Sequence, residues 1–217
     1  MKTGKQRKAK KTGLFFSFEG GEGVGKTTQI AKLAALFEAR GHKVVLTREP
    51  GGTNIANRIR SLLLDPKMDG LAPLAELFLY EASRAQHVQE VIRPALERGY
   101  VVICDRFADS SLVYQGAGRK LSAKLVKELN KIATGSLQPN ITFVLDLNPQ
   151  IGLARVGARG VLDRMEKEKL SFHQRVRSGF RRLVRAEPKR CILIDASRSR
   201  DDIHEAIVAK LGKYLGE

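Results

Sequence analysis

The stretch Gly20-Gly21-Glu22-Gly23-Val24-Gly25-Lys26-Thr27 fits G-x-x-x-x-G-K-[ST], and no other feature constrains the fold of this chain as tightly. Such a loop works only between a strand and a helix, so its flanks are dictated as well. An apolar run, Leu14-Phe15-Phe16-Ser17-Phe18, precedes it, and Ile30, Leu33, Ala34 and Phe37 follow at i, i+3, i+4, i+7. Gly41 stands where a helix C′ glycine belongs. In that setting the glycines let backbone N–H groups turn toward phosphate oxygens, and the helix N-terminus adds its partial positive charge. The predicted cradle comprises Gly20, Gly21, Glu22, Gly23, Val24, Gly25, Lys26, Thr27 and Thr28, with Lys26 reaching β/γ-phosphates and the Thr27 hydroxyl holding Mg²⁺.

Short apolar runs rich in β-branched or aromatic residues recur at 14–18, 43–47, 100–104, 141–147 and 191–194, alternating with helical segments. This alternation predicts an α/β fold, a five-stranded parallel sheet with helices on both faces and ligands outside the carboxyl ends of the strands. Polar residues follow directly on those ends: Glu19 with the phosphate loop, Arg48-Glu49-Pro50, Asp105-Arg106 and Asp195-Ala196-Ser197. They are expected to form one site. Helical patterns cover 73–98, 121–134 and 164–187, and a last helix is predicted after the capping box Ser199-x-x-Asp202, carrying Ile203, Ile207, Leu211 and Leu215. The 73–98 stretch is apolar on two sides, which suits either a homodimer interface or a core helix.

With 217 residues and no Pro/Ser/Gly-rich linker, the chain is expected to hold a basic, disordered N-terminal arm over 1–13 and a single domain over 14–217. The formal net charge is +16, and Lys2, Lys5, Arg7, Lys8, Lys10 and Lys11 crowd the arm. No aromatics are interleaved with these cations, so a solvated tail is expected rather than a nucleic-acid contact. The arm also lacks the apolar core of a secretory signal, and no apolar run approaches the ~18 residues of a membrane span. Cys104 and Cys191 sit in strand-like runs and read as buried thiols in a reducing cytoplasm. The histidines lack zinc-ligand spacing, and Asn130-Lys131-Ile132-Ala133 lacks the carboxylate of a guanine-reading N-K-x-D element.

Further strings accompany the loop: Arg48-Glu49-Pro50-Gly51-Gly52-Thr53, Tyr80-x-x-x-Arg84, Asp105-Arg106-Phe107 with Ser110-Ser111 and Tyr114-Gln115-Gly116, and Leu162-Asp163-Arg164-x-Glu166. Their order and spacing resemble the motif set of bacterial thymidylate kinases from about residue 14 to 215. The resemblance implies a P-loop nucleoside monophosphate kinase fold, transfer of the ATP γ-phosphate to dTMP with Mg²⁺, and a homodimer. Alternatives are a kinase for another nucleoside monophosphate or, from a different class, a nucleotide-regulated nucleic-acid-binding protein.

On the acceptor side, the resemblance implies that Arg84 and Arg106 hold the dTMP phosphate with Arg48 beside them. Tyr80, where relatives usually carry Phe, stacks on thymine. Ser111 and Gln115 meet the base edge, Tyr114 lies under the deoxyribose and crowds a 2′-hydroxyl, and Glu22 accepts from the 3′-hydroxyl. Asp105 joins Thr27 at the metal. Gly23 stands where some relatives carry an Arg that reaches the γ-phosphate, so the missing charge is expected from a lid at about 155–166, with Arg159 as the catalytic finger and Arg155 and Arg164 as neighbours. Arg198 is expected near adenine. The catalytic set is therefore Lys26, Arg48, Arg106 and Arg159.

Overall fold

Alternation along β1 (Leu14–Gly20) decides how the layers assemble. Phe16 and Phe18 enter one hydrophobic layer and Phe15 the other, all almost fully buried, so the strand must be covered on both faces. The structure, a computed structural model, describes residues 13–158 and 160–215. After β1 come α1 (Lys26–Ala39), β2 (Val44–Arg48), α2 (Asn54–Leu64) and α3 (Pro73–His87). A π-helical turn (Val88–Ile92) joins α3 to α4 (Arg93–Glu97), followed by β3 (Val101–Asp105), α5 (Ala108–Ser111) and a second π-helical turn (Leu112–Gly118). The chain continues through α6 (Ala123–Thr134), β4 (Ile141–Asp146), α7 (Pro149–Gly157), α8 (Leu170–Ala186), β5 (Cys191–Asp195), α9 (Arg200–Val208) and α10 (Gly212–Leu215).

All five strands pair in parallel in the order β2-β3-β1-β4-β5. The phosphate loop therefore leaves the middle strand at the carboxyl edge, where connections diverge to opposite sides and a crevice opens. One layer joins Phe16 and Phe18 to Leu33 and Phe37 of α1 and to Ile203 and Ile207 of α9. Opposite it, Phe15 packs with Val88, Ile92 and Phe107, while Val144 meets Phe172, Val176 and Phe180. Each of these buried phenyl rings contributes on the order of 2–3 kcal/mol, enough to fix β1 and thus the loop it carries.

Each expected strand is present, with ends shifted by at most two residues. The 73–98 stretch is helical throughout, but widens to a π turn just ahead of Pro94, whose ring lacks a donor and crowds the preceding turn. Two helices are shorter than the pattern predicts. The 164–187 segment becomes helical only at Leu170, because Arg164 and Met165 are used elsewhere. The last helix ends at Val208, so Leu211 and Leu215 lie beyond it, and Gly212 opens a separate short helix. Its start holds: the Asp202 amide donates to Ser199 Oγ at 3.1 Å. Cys104 and Cys191 are buried and free. Residues 1–12 of the basic arm lie outside the described residues. Among the described residues no helix is long and apolar enough to cross a membrane.

Candidate active site

A cavity of about 570 Å³ opens at the carboxyl edge of the sheet. The loop from Glu22 to Thr28, Arg48 at the end of β2, Tyr80 and Arg84 of α3, Asp105 at the end of β3 with Arg106 after it, and Ser111, Tyr114 and Gln115 all line it. On the loop side Gly25 has φ 92° and begins α1, a left-handed conformation that glycine adopts without strain. Lys26 is buried, its Nζ donating to the Gly21 carbonyl at 3.4 Å and lying 3.8 Å from Asp105 Oδ1. Burial and the charge of Arg106 lower its pKa, opposed by Asp105 and Glu22. Asp105 Oδ1 is itself buried without a hydrogen-bond partner among the described residues, and Thr27 lines the same space. An oxygen left over beside an exposed hydroxyl fits a hard cation such as Mg²⁺.

Arg106 crosses from β3 to the loop. Its Nη1 donates to the Gly20 carbonyl at 2.8 Å and its Nη2 to Glu22 Oε1 at 2.9 Å, with the guanidinium 4.9 Å from the Tyr114 ring centre. The same Glu22 oxygen accepts from the Tyr114 hydroxyl at 2.7 Å. Burial pushes the Glu22 carboxyl up, but Arg106, Lys26 and the Tyr114 bond hold it down to about 2, so it is ionised throughout the physiological range.

Deeper in the wall, Arg84 is only 1 % exposed and its guanidinium is held by protein acceptors. Nε donates to Glu49, Nη1 to Glu81, Ser111 and Asn130, and Nη2 to the Phe107 carbonyl. The expected pairing of Arg84 with Arg106 on one phosphate is therefore not what this geometry presents; Arg84 organises the wall and touches Ser111. Gln115 Nε2 donates to Glu76 Oε1 at 2.8 Å, and Glu76 also receives Arg119 and Arg164. Burial alone would raise the Glu76 pKa, yet the bonds from Arg119 and Gln115 and the Arg164 charge hold it below the usual carboxylate range.

The phosphate loop meets α7 through two glycines. A Cβ on Gly23 would lie 2.1 Å from the Gly152 carbonyl oxygen, and one on Gly152 would lie 2.1 Å from that of Glu22. No side chain fits at either position, so Gly23 has no room for a cation of its own. Arg155, one turn further along α7, donates to the Gly23 carbonyl at 3.4 Å. Beyond the helix, Val161 is 94 % exposed, whereas Arg164 is buried against Glu76 and the Leu63 carbonyl and Met165 joins the core. The expectation that Arg164 shares the field of a mobile finger is corrected: it anchors the segment. Arg159 lies outside the described residues. Arg198 is not among the residues that line the cavity; it sits exposed after β5, 3.9 Å from Asp202.

The sequence did not mark Glu76, Arg60 or Asn130 for the site. Glu76 precedes Tyr80 and Arg84 at successive steps of four, so helical spacing placed all three on one face of α3. Arg60 carries no motif; it lines the cavity and donates to the Pro50 carbonyl at 2.9 Å, its pKa lowered by burial and by Arg48.

A family model described as thymidylate kinase matches residues 18–207. A thymidylate kinase of Deinococcus radiodurans is 52% identical over 201 residues, 93% of this chain and 97% of that protein. One from Desulfovibrio desulfuricans is 52% identical over 209 residues, 93% and 96% respectively. Among solved structures, the crystal structure of thymidylate kinase from Ehrlichia chaffeensis superposes with a TM-score of 0.75 at 33% identity, over 92% of this chain and 99% of that one.

Proposed function

We propose, from the premise that the chain belongs to the thymidylate kinase family, that the 570 Å³ cavity seats the acceptor nucleotide and the phosphate loop the donor, end to end. The protein is an ATP-dependent nucleoside monophosphate kinase that phosphorylates dTMP. The observation that carries the site assignment is that Lys26 and Arg106 line one cavity. Separate cavities would have left no common space for a migrating phosphoryl group.

The attacking oxygen of dTMP is already anionic, so the site needs no general base and works by position and positive charge. Lys26 holds the β/γ-phosphates of ATP; Arg106 and Arg48 hold the acceptor phosphate. Thr27 and Asp105 would hold Mg²⁺, which supplies charge neutralisation on the phosphate oxygens when bound. The Oε1 atom of Glu22 is taken by Arg106 and Tyr114, which leaves Oε2 for the 3′-hydroxyl.

At the base, Tyr80 offers its ring for stacking. The Ser111 oxygen accepts from Arg84, so its hydrogen is left to donate into the cavity, and the Gln115 amide, tied to Glu76 through Nε2, presents its carbonyl oxygen. A donor beside an acceptor complements thymine O4 and N3–H and opposes the reversed edge of cytosine. An acceptor panel assayed by coupled ADP release tests this. We expect dTMP to be the best acceptor and dUMP, short of one methyl, to be worse by roughly 10–200-fold in kcat/KM. A ribonucleotide, crowded by Tyr114, should lose about 10²-fold, and dCMP, which leaves buried groups unpaired, about 10⁴-fold. Comparable kcat/KM on dCMP would overturn the base assignment, and no turnover on dTMP the whole function.

A homodimer is supported by exposed large apolar residues on the mutually packed helices α2 and α3, namely Ile55 and Leu62 on α2 and Leu74 and Phe78 on α3. Phe78→Glu is expected to halve the mass measured by light scattering, and an unchanged mass would remove this face as the interface. The buried free thiols support a cytoplasmic location.

A further inference from the structure

Glu19 has no part in the chemistry above, yet it is 0 % exposed and stands one residue before the end of the central strand. Both its oxygens point at one turn. The Phe107 amide donates to Oε1 at 2.8 Å and the Ser110 hydroxyl to Oε2 at 2.6 Å. Between β3 and those two donors stands Arg106, with φ 68°, a left-handed backbone that costs a non-glycine residue of order 1 kcal/mol or more and persists only when its surroundings over-determine it. The Arg106 amide is also fixed, donating to the Phe18 carbonyl at 2.9 Å. The strained residue is thus clamped on both sides by consecutive residues of β1.

We infer that Glu19 is a positioning residue for phosphoryl transfer: its carboxylate pins the turn after β3 and so holds the backbone of Arg106 in the left-handed conformation that aims the guanidinium at the phosphate loop. The inference rests on the assignment of Arg106 to the acceptor phosphate.

The electrostatics agree with a functional burden. Acting on Glu19 electrostatically are Arg106 from the end of β3, Asp109 on α5, Lys26 from α1, Tyr114 from the second π turn and the Cys104 and Cys191 thiols. Asp109 is itself held bidentately by Arg190. Burial pushes the Glu19 carboxyl up to about 7, opposed by Arg106 and by the Ser110 and Phe107 bonds. A carboxyl raised in the fold stabilises the protein below its unfolded pKa and gives that stability up as pH rises toward 7. The clamp needs the opposite state, since only the ionised group accepts freely at both oxygens. Stability and positioning therefore pull in opposite directions across neutral pH.

The test compares wild type with Glu19→Gln, Ser110→Ala and Arg106→Ala, measuring kcat, KM for dTMP, the Kd of a fluorescent ATP analogue, and melting temperature from pH 5.5 to 8.5. Glu19→Gln is expected to raise KM for dTMP or lower kcat about tenfold while the ATP analogue binds within twofold of wild type. Its melting temperature should exceed wild type at pH 8. The ratio of wild-type to Glu19→Gln kcat/KM should rise with pH through about 7; ionisation of the dTMP phosphate, common to both proteins, cancels in that ratio. Ser110→Ala, which removes one of the two bonds together with the 3.4 Å acceptor of Arg106 Nη1, should shift KM for dTMP two- to fivefold. A folded Glu19→Gln with dTMP kinetics within twofold of wild type and a flat ratio overturns the inference. Should that variant not fold, an unaltered KM for dTMP in Ser110→Ala overturns it instead. Arg106→Ala separates the two levels: near-normal dTMP kinetics there defeat the assignment of Arg106, whereas collapse there with normal Glu19→Gln defeats only the role of Glu19.

Discussion

Lys26→Ala should lower kcat by at least about 10³-fold, the scale reached when a single preorganised donor to a developing charge is removed, with an ammonium lost here instead of a neutral group. The variant should still fold. Lys26 is buried, its pKa is lowered by burial and by Arg106, and its protein partners are a carbonyl at 3.4 Å and a carboxylate at 3.8 Å, so the native state gains little from it. Truncation therefore removes a charge that the fold holds at a cost and the bound triphosphate requires. Coupled ADP release should show the loss, while thermal melting in the absence of nucleotide should change by only a few degrees, since ~1 kcal/mol moves a domain of this size about 2–4 °C. Retention of a tenth of wild-type turnover would contradict the placement of Lys26 on the donor phosphates.

The contrast between Lys26 and Arg84 marks how far the residues alone could be read. The placement of Lys26 was legible because it follows from backbone geometry: a glycine-rich turn between a strand and a helix sets where the side chain begins, and it lines the cavity as expected. The sheet was legible for a similar reason, since strands covered on both faces read as apolar runs, and Phe15, Phe16 and Phe18 divide between two layers as alternation requires. Arg84 follows from no such rule. Its orientation is set by Glu81, one turn earlier on α3, and by Glu49 and Asn130, which arrive from two distant parts of the chain. Glu19 was visible as a polar strand end, but its two donors lie 88 and 91 positions away. The shortened last helix escaped because Leu211 and Leu215 keep helical spacing while Gly212 begins a new helix. Local rules thus recovered the scaffold and the phosphate loop, and the wall of the acceptor site required tertiary contacts.

Arg159→Ala should lower kcat by ~10³–10⁵-fold, the range of arginine fingers in GTPases, with ATP affinity changed only a few-fold. Steric exclusion at the phosphate loop supports this. With Gly23 pressed on the Gly152 carbonyl, a side chain reaching the γ-phosphate from position 23 is impossible, and a cation beyond Lys26 must come from outside the loop. Through the same contact α7 is docked against the phosphate loop, and the chain leaving it passes Gly160, at φ 127°, and the exposed Val161 before Arg164 and Met165 anchor it. Arg155 and Arg164 bracket this stretch but are bonded to the Gly23 carbonyl and to Glu76, which leaves Arg159 as the arginine between two fixed points. A group that acts only when charge spreads onto the γ-phosphoryl oxygens affects kcat and not ground-state binding. Single-turnover rates and ATP-analogue binding on Arg159→Ala, with Arg155→Ala alongside, read this directly. Full turnover in Arg159→Ala would refute the finger, and a collapse in Arg155→Ala instead would move the role one turn back onto α7.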